Sequence, residues 1–202
     1  YYKLGLLSKG HFVEVSRTDL IAGYQGQTAL KVKKVIEKAL GGVLFIDEAY
    51  SITENENSDS YGRECLTELT KALEDYRDNL VVIVAGYTEP MKQFFESNPG
   101  LKSRFKTFIT FEDYNGDELF KIFEKMCKED DYEMSSEIVA GLKEIFNEKG
   151  NSHIQNFSNG RFVRNLYENM VMNHARRVMC IVDPTLNQLR LFEKEDVPTR
   201  NT

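Results

Sequence analysis

Val43-Leu44-Phe45-Ile46-Asp47-Glu48 is the most informative hexapeptide of the chain. Four apolar residues without polar alternation read as a β-strand buried on both faces, the pattern of a parallel sheet. Two carboxylates follow at once and therefore emerge at the strand's C-terminal end. In open α/β sheets that edge is where ligands sit. One acid there can hold Mg²⁺ beside nucleotide phosphates, and a second can polarise an attacking water. Taken alone, the hexapeptide also reads as a buried strand ending in solvated acids.

Working outward, Phe12 to Val15 and Leu80 to Ala85 read as further strands, and Thr107 to Phe111 as one more. Between them, Thr28 to Leu40 has apolar residues at helical spacing and stops at Gly41-Gly42, because glycine accepts the left-handed conformation that ends a helix. Ser51 to Ser60 is polar and reads as an exposed loop. A second helix then runs to about Tyr76, with Cys65, Leu66, Leu69, Ala72 and Leu73 on one face. Strands separated by helices of this length predict a parallel α/β sheet.

The second half changes character. Asn115 and Glu118 have capping-box spacing and open a helix. Ile138 to Phe146 marks another, ended by Gly150, and Phe162 to Val178 a longer one, with no strong strand between them. The expectation is an α/β core over residues 1–112 and a small helical domain over 113–202.

Composition limits the function classes. Of 202 residues, 41% are hydrophobic and 29% charged, which suits a globular chain and excludes a fibrous or wholly disordered one. The longest clean apolar run, Leu80 to Ala85, is far short of the ~20 residues that a spanning helix needs. The net charge of −6 gives no general attraction to nucleic acid or to an anionic membrane. Cys65, Cys127 and Cys180 are too far apart in sequence for metal-ligand spacing and fit reduced thiols in a cytoplasmic protein.

Other residues fall into order around the acid pair. Gly86-Tyr87-Thr88 ends the Leu80–Ala85 strand, so Thr88 can sense a terminal phosphate. Asn98-Pro99-Gly100-Leu101-Lys102-Ser103-Arg104-Phe105 is a turn followed by basic residues, and Asn159-Gly160-Arg161-Phe162 opens a helix. Arginine suits phosphate because its planar fork stays charged and binds bidentately. Asp47, Glu48, Thr88, Arg104 and Arg161 thus form a set: magnesium ligand, water activator, sensor and two phosphate-binding arginines.

In this order the chain resembles an AAA+ ATPase, specifically the CbbX/SpoVK (CfxQ) group. Gly10 to Leu20 is similar to that group's segment after its first helix. Gly42 to Tyr50 (GVLFIDEAY) is similar to its Walker B strand, and Leu80 to Tyr87 and Asn98 to Phe105 to its sensor-1 and arginine-finger segments. Arg161 falls where the family has its sensor-2 arginine. The resemblance implies a P-loop-type parallel sheet followed by a helical lid. It also implies ATP and Mg²⁺ as cofactors, assembly into a ring, by expectation a hexamer, and a protein substrate. Asp47 would support Mg²⁺, Glu48 would activate water, and Thr88 would be sensor 1. Arg104 would act on the neighbouring subunit's nucleotide and Arg161 on its own. Tyr24, Gln25 and Gly26 would be the aromatic loop that lines the pore and grips substrate; without the family, Gly23 to Thr28 reads as an ordinary glycine-flanked turn.

The sequence departs from the family at one point. None of its 13 glycines is followed by lysine, so the phosphate-cradling G-x-x-x-x-G-K-[ST] loop is absent. In the family that loop opens the helix whose tail is similar to Tyr2 to Leu7. The expectation is therefore a fragment whose P-loop and first strand lie upstream of residue 1, inactive by itself and with apolar surface uncovered. Two other readings are a non-catalytic AAA+-fold scaffold and a clamp-loader-like ATPase acting on nucleic acid, the latter disfavoured by the acidic balance.

Overall fold

A computed structural model describes residues 1–24, 26–53, 60–151 and 158–198, in two compact units, Tyr1–Thr110 and Phe111–Thr202. In the first unit the chain runs β1 (Phe12–Val15), α1 (Arg17–Leu20), α2 (Gln27–Ala39) and β2 (Val43–Ile46). A 3₁₀ turn (Ala49–Ile52), α3 (Ser60–Asp75), β3 (Val81–Val84), α4 (Thr88–Glu96) and α5 (Pro99–Lys102) follow. The strands are parallel in the order β1-β2-β3, with Val15 opposite Ile46 and Ile46 opposite Val84.

The period-2 geometry of a strand sends alternate side chains to opposite faces. Val13, Val15, Leu44, Ile46, Val82 and Val84 share one face and pack into a core with Val32, Val35, Ile36 and Ala39 of α2 and Cys65, Leu66, Leu69 and Ala72 of α3. Each fully buried Leu or Ile there contributes roughly 1.5–3 kcal/mol. Gly41, with φ +88°, turns the chain out of α2, and its N–H donates to the Asn79 carbonyl at 2.8 Å beside the N-terminal edge of the sheet.

The other face carries Phe12, Val43, Phe45, Val81 and Ile83. Phe12 is 59% and Ile83 41% exposed, and Val43, Phe45 and Val81 are half-buried. The expectation of strands buried on both faces therefore holds on the helix-covered face only. The Thr107–Phe111 strand is not formed: these residues are extended, exposed and unpaired among the described residues, and Phe111 is 90% exposed. A strand needs a neighbour's N–H and C=O groups, and this segment has none. Phe108 is held instead by ring packing on Phe95, at 5.4 Å between centroids. Tyr2 to Leu7 forms turns rather than a helix tail, since so short a segment cannot sustain a helix alone. Residues 54–59 of the expected polar loop lie outside the described residues.

The second unit comprises α6 (Gly116–Glu129), β4 (Glu133–Met134), α7 (Ser136–Asn151), α8 (Gly160–Val178), α9 (Leu186–Arg190), β5 (Leu191–Phe192) and a 3₁₀ turn (Lys194–Asp196). The capping box at α6 is present: Glu118 N–H donates to Asn115 Oδ1 and Asn115 N–H to Glu118 Oε2, both at 3.0 Å. Leu119, Phe123, Leu142, Phe146, Val163, Tyr167 and Met170 form the core of the three long helices. The sequence patterning missed the two-residue parallel pair β4–β5, which brings Phe192 into that core. Buried Asp196 anchors the C-terminal turn by accepting from Arg177 Nε at 3.0 Å and Nη2 at 2.9 Å. Among the described residues no helix is long and apolar enough to cross a membrane.

Cys65 and Cys127 are buried and Cys180 is exposed. Burial, with the nearby Asp130 charge, pushes the Cys127 thiol up to about 12. At pH 8 roughly one Cys127 in ten thousand is then thiolate. Iodoacetamide at pH 8 should label Cys180 alone in the native protein and all three cysteines in guanidinium, read by mass spectrometry of peptides.

Candidate functional site at the sheet rim

The parallel ladder continues past the end of β2. Asp47 N–H donates to the Val15 carbonyl at 3.0 Å, and Ala49 N–H donates to the Ala85 carbonyl at 3.0 Å. Glu48 is held between these two anchors with φ +46°, a left-handed conformation unusual for a residue with a Cβ. Such a conformation costs roughly 1–2 kcal/mol. Backbone strain of this kind clusters at functional sites, where the surroundings over-determine the geometry. Glu48 N–H donates to Asp47 Oδ1 at 3.0 Å, and both acids are exposed. No group of three or more His, Cys, Asp or Glu residues able to hold a metal occurs among the described residues. Two hard carboxylates nevertheless fit Mg²⁺, which is held by one or two carboxylates together with water and substrate phosphates.

The turn from β3 into α4 lies at the same rim. A Cβ at Gly86 would stand 2.7 Å from the Tyr50 ring and 2.9 Å from the Met91 sulfur, so the turn seats directly on Tyr50. Tyr87 packs on the same ring, 6.3 Å between centroids. Thr88 is the exposed first residue of α4. The rim thus brings together Asp47, Glu48 and the Thr88 turn.

Arg104 is held elsewhere in this unit. Its Nη1 donates to the Gly100 carbonyl at 2.8 Å, and its Nε lies 3.4 Å from Oε2 of Glu74. Glu74 is in the last turn of α3, which returns from the rim toward the opposite edge; there Asn79 N–H donates to the Tyr76 carbonyl and the Asn79 carbonyl accepts from Gly41. Arg104 is therefore not delivered to the acids of its own chain. The Glu74 contact was invisible in the sequence, because thirty positions and a strand separate the two residues. Arg161 is the exposed second residue of α8 in the other unit. The turn before it is fixed by Asn159, whose Nδ2 donates to Asp113 Oδ1 at 2.6 Å.

Tyr24 is 74% exposed at the tip of the α1–α2 connection. The base of that loop is tied down. Ala22 N–H donates to Thr28 Oγ1 at 3.2 Å, Lys31 Nζ donates to the carbonyls of Thr18 (2.5 Å) and Ile21 (3.1 Å), and Ala29 N–H donates to Glu64 Oε1 at 3.3 Å. Gly26, with φ +80°, caps α2. Gln25 lies outside the described residues.

Residues 4–113 match the model of the ATPase family associated with various cellular activities (AAA), and residues 115–202 match the AAA lid domain. The chain belongs to the AAA ATPase family. Its relatives include a CfxQ homolog of Trieres chinensis, 40% identical over 97% of this chain and 67% of that protein. CbbX of Cereibacter sphaeroides is 41% identical over 97% of this chain and 63% of its own length. The stage V sporulation protein K of Bacillus subtilis is 41% identical over 89% of this chain and 56% of its own length. The chain thus spans a little over half to two thirds of these relatives. The FIGL-1 AAA domain, solved in complex with ADP, superposes with a TM-score of 0.56 over 82% of this chain and 52% of its own; at 19% identity it supports the fold alone. An α/β AAA core followed by a helical lid is therefore the architecture, and the AAA family generally binds ATP with Mg²⁺ and assembles into rings.

The Gly86 seat can be tested directly. Gly86→Val should destabilise the first unit by about 1–3 kcal/mol through overpacking against Tyr50, whereas Gly86→Val combined with Tyr50→Ala should recover part of that loss, measured by urea unfolding.

Proposed function

We propose that the chain is part of an ATP-driven, ring-forming remodeller that couples hydrolysis to pulling a protein substrate through a central pore. The observation that carries this reading is the strained acid pair, pinned by the ladder on both sides at the rim of an AAA core. ATP would supply the scissile phosphoanhydride and Mg²⁺ would neutralise charge on its phosphates. Asp47 offers an oxygen ligand to Mg²⁺. Glu48, whose carboxylate has no hydrogen-bond partner among the described residues, would accept a proton from water. Thr88 hydrogen-bonds toward the terminal phosphate. Arg161 approaches the phosphates of its own chain, and Arg104 those of a neighbour. The Tyr24, Gln25 and Gly26 loop grips substrate at the pore, with Lys31 and Thr28 holding its base.

The functional boundary falls at Asp113, between a core of residues 1–112 and a lid of 113–202. These 202 residues carry no phosphate-cradling G-x-x-x-x-G-K-[ST] loop. Among the described residues the outer edge of β3 is unpaired and the face of Phe12 and Ile83 is uncovered, and an added strand and helix would cover both. The 202 residues alone would then turn over ATP poorly. Three separated, unbridged thiols favour a cytoplasmic location.

In the full-length protein, Glu48→Gln should keep ATP binding and lose roughly 100-fold or more of turnover. Arg104→Ala should block hydrolysis in assembled rings without abolishing binding. Normal turnover by the Glu48→Gln protein removes Glu48 from its role. Tyr24→Ala should retain most ATPase activity and lose unfolding of a fluorescent model substrate; full unfolding activity would refute the pore-loop assignment. A second reading, a scaffold that keeps the fold without turnover, is favoured by the missing phosphate loop. Titration of the full-length chain with a fluorescent ATP analogue separates the two, since a scaffold shows no saturable binding.

A further inference from the structure

The contact between Arg104 and Glu74 has a geometry that a bare surface ion pair does not require. The Arg104 side chain is only 30% exposed. Its Nη1 is committed to the Gly100 carbonyl, and its Nε is buried, faces Oε2 of Glu74 at 3.4 Å and makes no hydrogen bond. The other oxygen of Glu74, Oε1, lies 3.7 Å from Nη1 of the exposed Arg77. A guanidinium carries five N–H donors in a rigid plane. Nη1 is therefore fixed by a hydrogen bond, Nε is paired with Glu74 through charge alone, and among the described residues Nη2 has no hydrogen-bond acceptor. Glu74 itself sits on α3, whose Cys65, Leu66, Leu69 and Ala72 are locked into the core. Its half-exposed carboxylate gains little net stability from the pair. What it supplies is direction.

We propose that Glu74 is the positioning residue of Arg104, holding the guanidinium plane so that its uncommitted donors meet a phosphate carried by a second copy of this chain. The proposal rests on the trans role assigned to Arg104 above. An arginine side chain loses rotamer freedom when it is fixed. A carboxylate on a rigid helix orders it before the neighbour arrives, so binding energy at the interface goes to the transition state rather than to ordering the arginine. Glu74 touches neither nucleotide nor substrate and acts only through Arg104.

The test is a double-mutant cycle on the full-length, assembled protein. Glu74→Gln should lower kcat by roughly 5- to 30-fold, within the range for directly coupled residues, with the KM for ATP and the sedimentation of the ring unchanged. Added to Arg104→Ala, it should leave the small residual rate, read by single-turnover cleavage of radiolabelled ATP, unchanged. A wild-type kcat in Glu74→Gln, with Arg104→Ala inactive, overturns the positioning role and leaves the function intact. An equal further loss in the double variant also overturns it, because Glu74 then acts independently of Arg104. A wild-type rate in Arg104→Ala overturns both the positioning role and the trans assignment.

Discussion

Two backbone hydrogen bonds, from Asp47 N–H to the Val15 carbonyl and from Ala49 N–H to the Ala85 carbonyl, set the chemistry of the core. They extend the parallel ladder one step beyond each strand and leave Glu48 between fixed points. A residue so confined cannot relax its left-handed backbone without breaking the ladder on one side. The acid pair is therefore presented by the sheet itself rather than by a loop. The apolar face of Val15, Leu44, Ile46 and Val84 drives the sheet to form and so supplies the energy that holds the strain.

The same sheet distributes the other residues. The β3–α4 turn reaches the rim because Gly86 lets the backbone lie against Tyr50. Arg104 comes after a helix that has crossed to the opposite edge, and it is caught there by Glu74. One layer of secondary structure thus separates an acid end from a cation end. Within the first unit, Arg104 therefore does not reach the Asp47–Glu48 pair.

The helical unit is organised on different terms. Its core is aromatic, with Phe146, Phe123, Tyr167 and Phe192 linked in that order by ring contacts. The buried Arg177–Asp196 pair closes the C-terminal turn over it. Removing Arg177 leaves the buried Asp196 carboxylate uncompensated and costs about 3–5 kcal/mol.

Much of this was legible from one-dimensional patterns, for local reasons. Val43–Ile46 and Val81–Val84 follow from unbroken apolar runs, the long helices from periodicity, and the Asn115–Glu118 box from side chains that satisfy neighbouring backbone groups. The placement of Asp47 and Glu48 at a strand's end follows from their order alone. Thr107–Phe111 has strand composition and forms no strand, because pairing depends on a neighbour that composition does not report. The β4–β5 pair and the Glu74–Arg104 contact join residues far apart in sequence and carry no periodic signal. The sequence by itself determined which residue types stand at the ends of which elements, since those are set by short-range sterics and hydrophobic spacing. Only the tertiary structure decided which ends meet, because ladder partners, ring seats and ion pairs exist only once the sheet has set its edges.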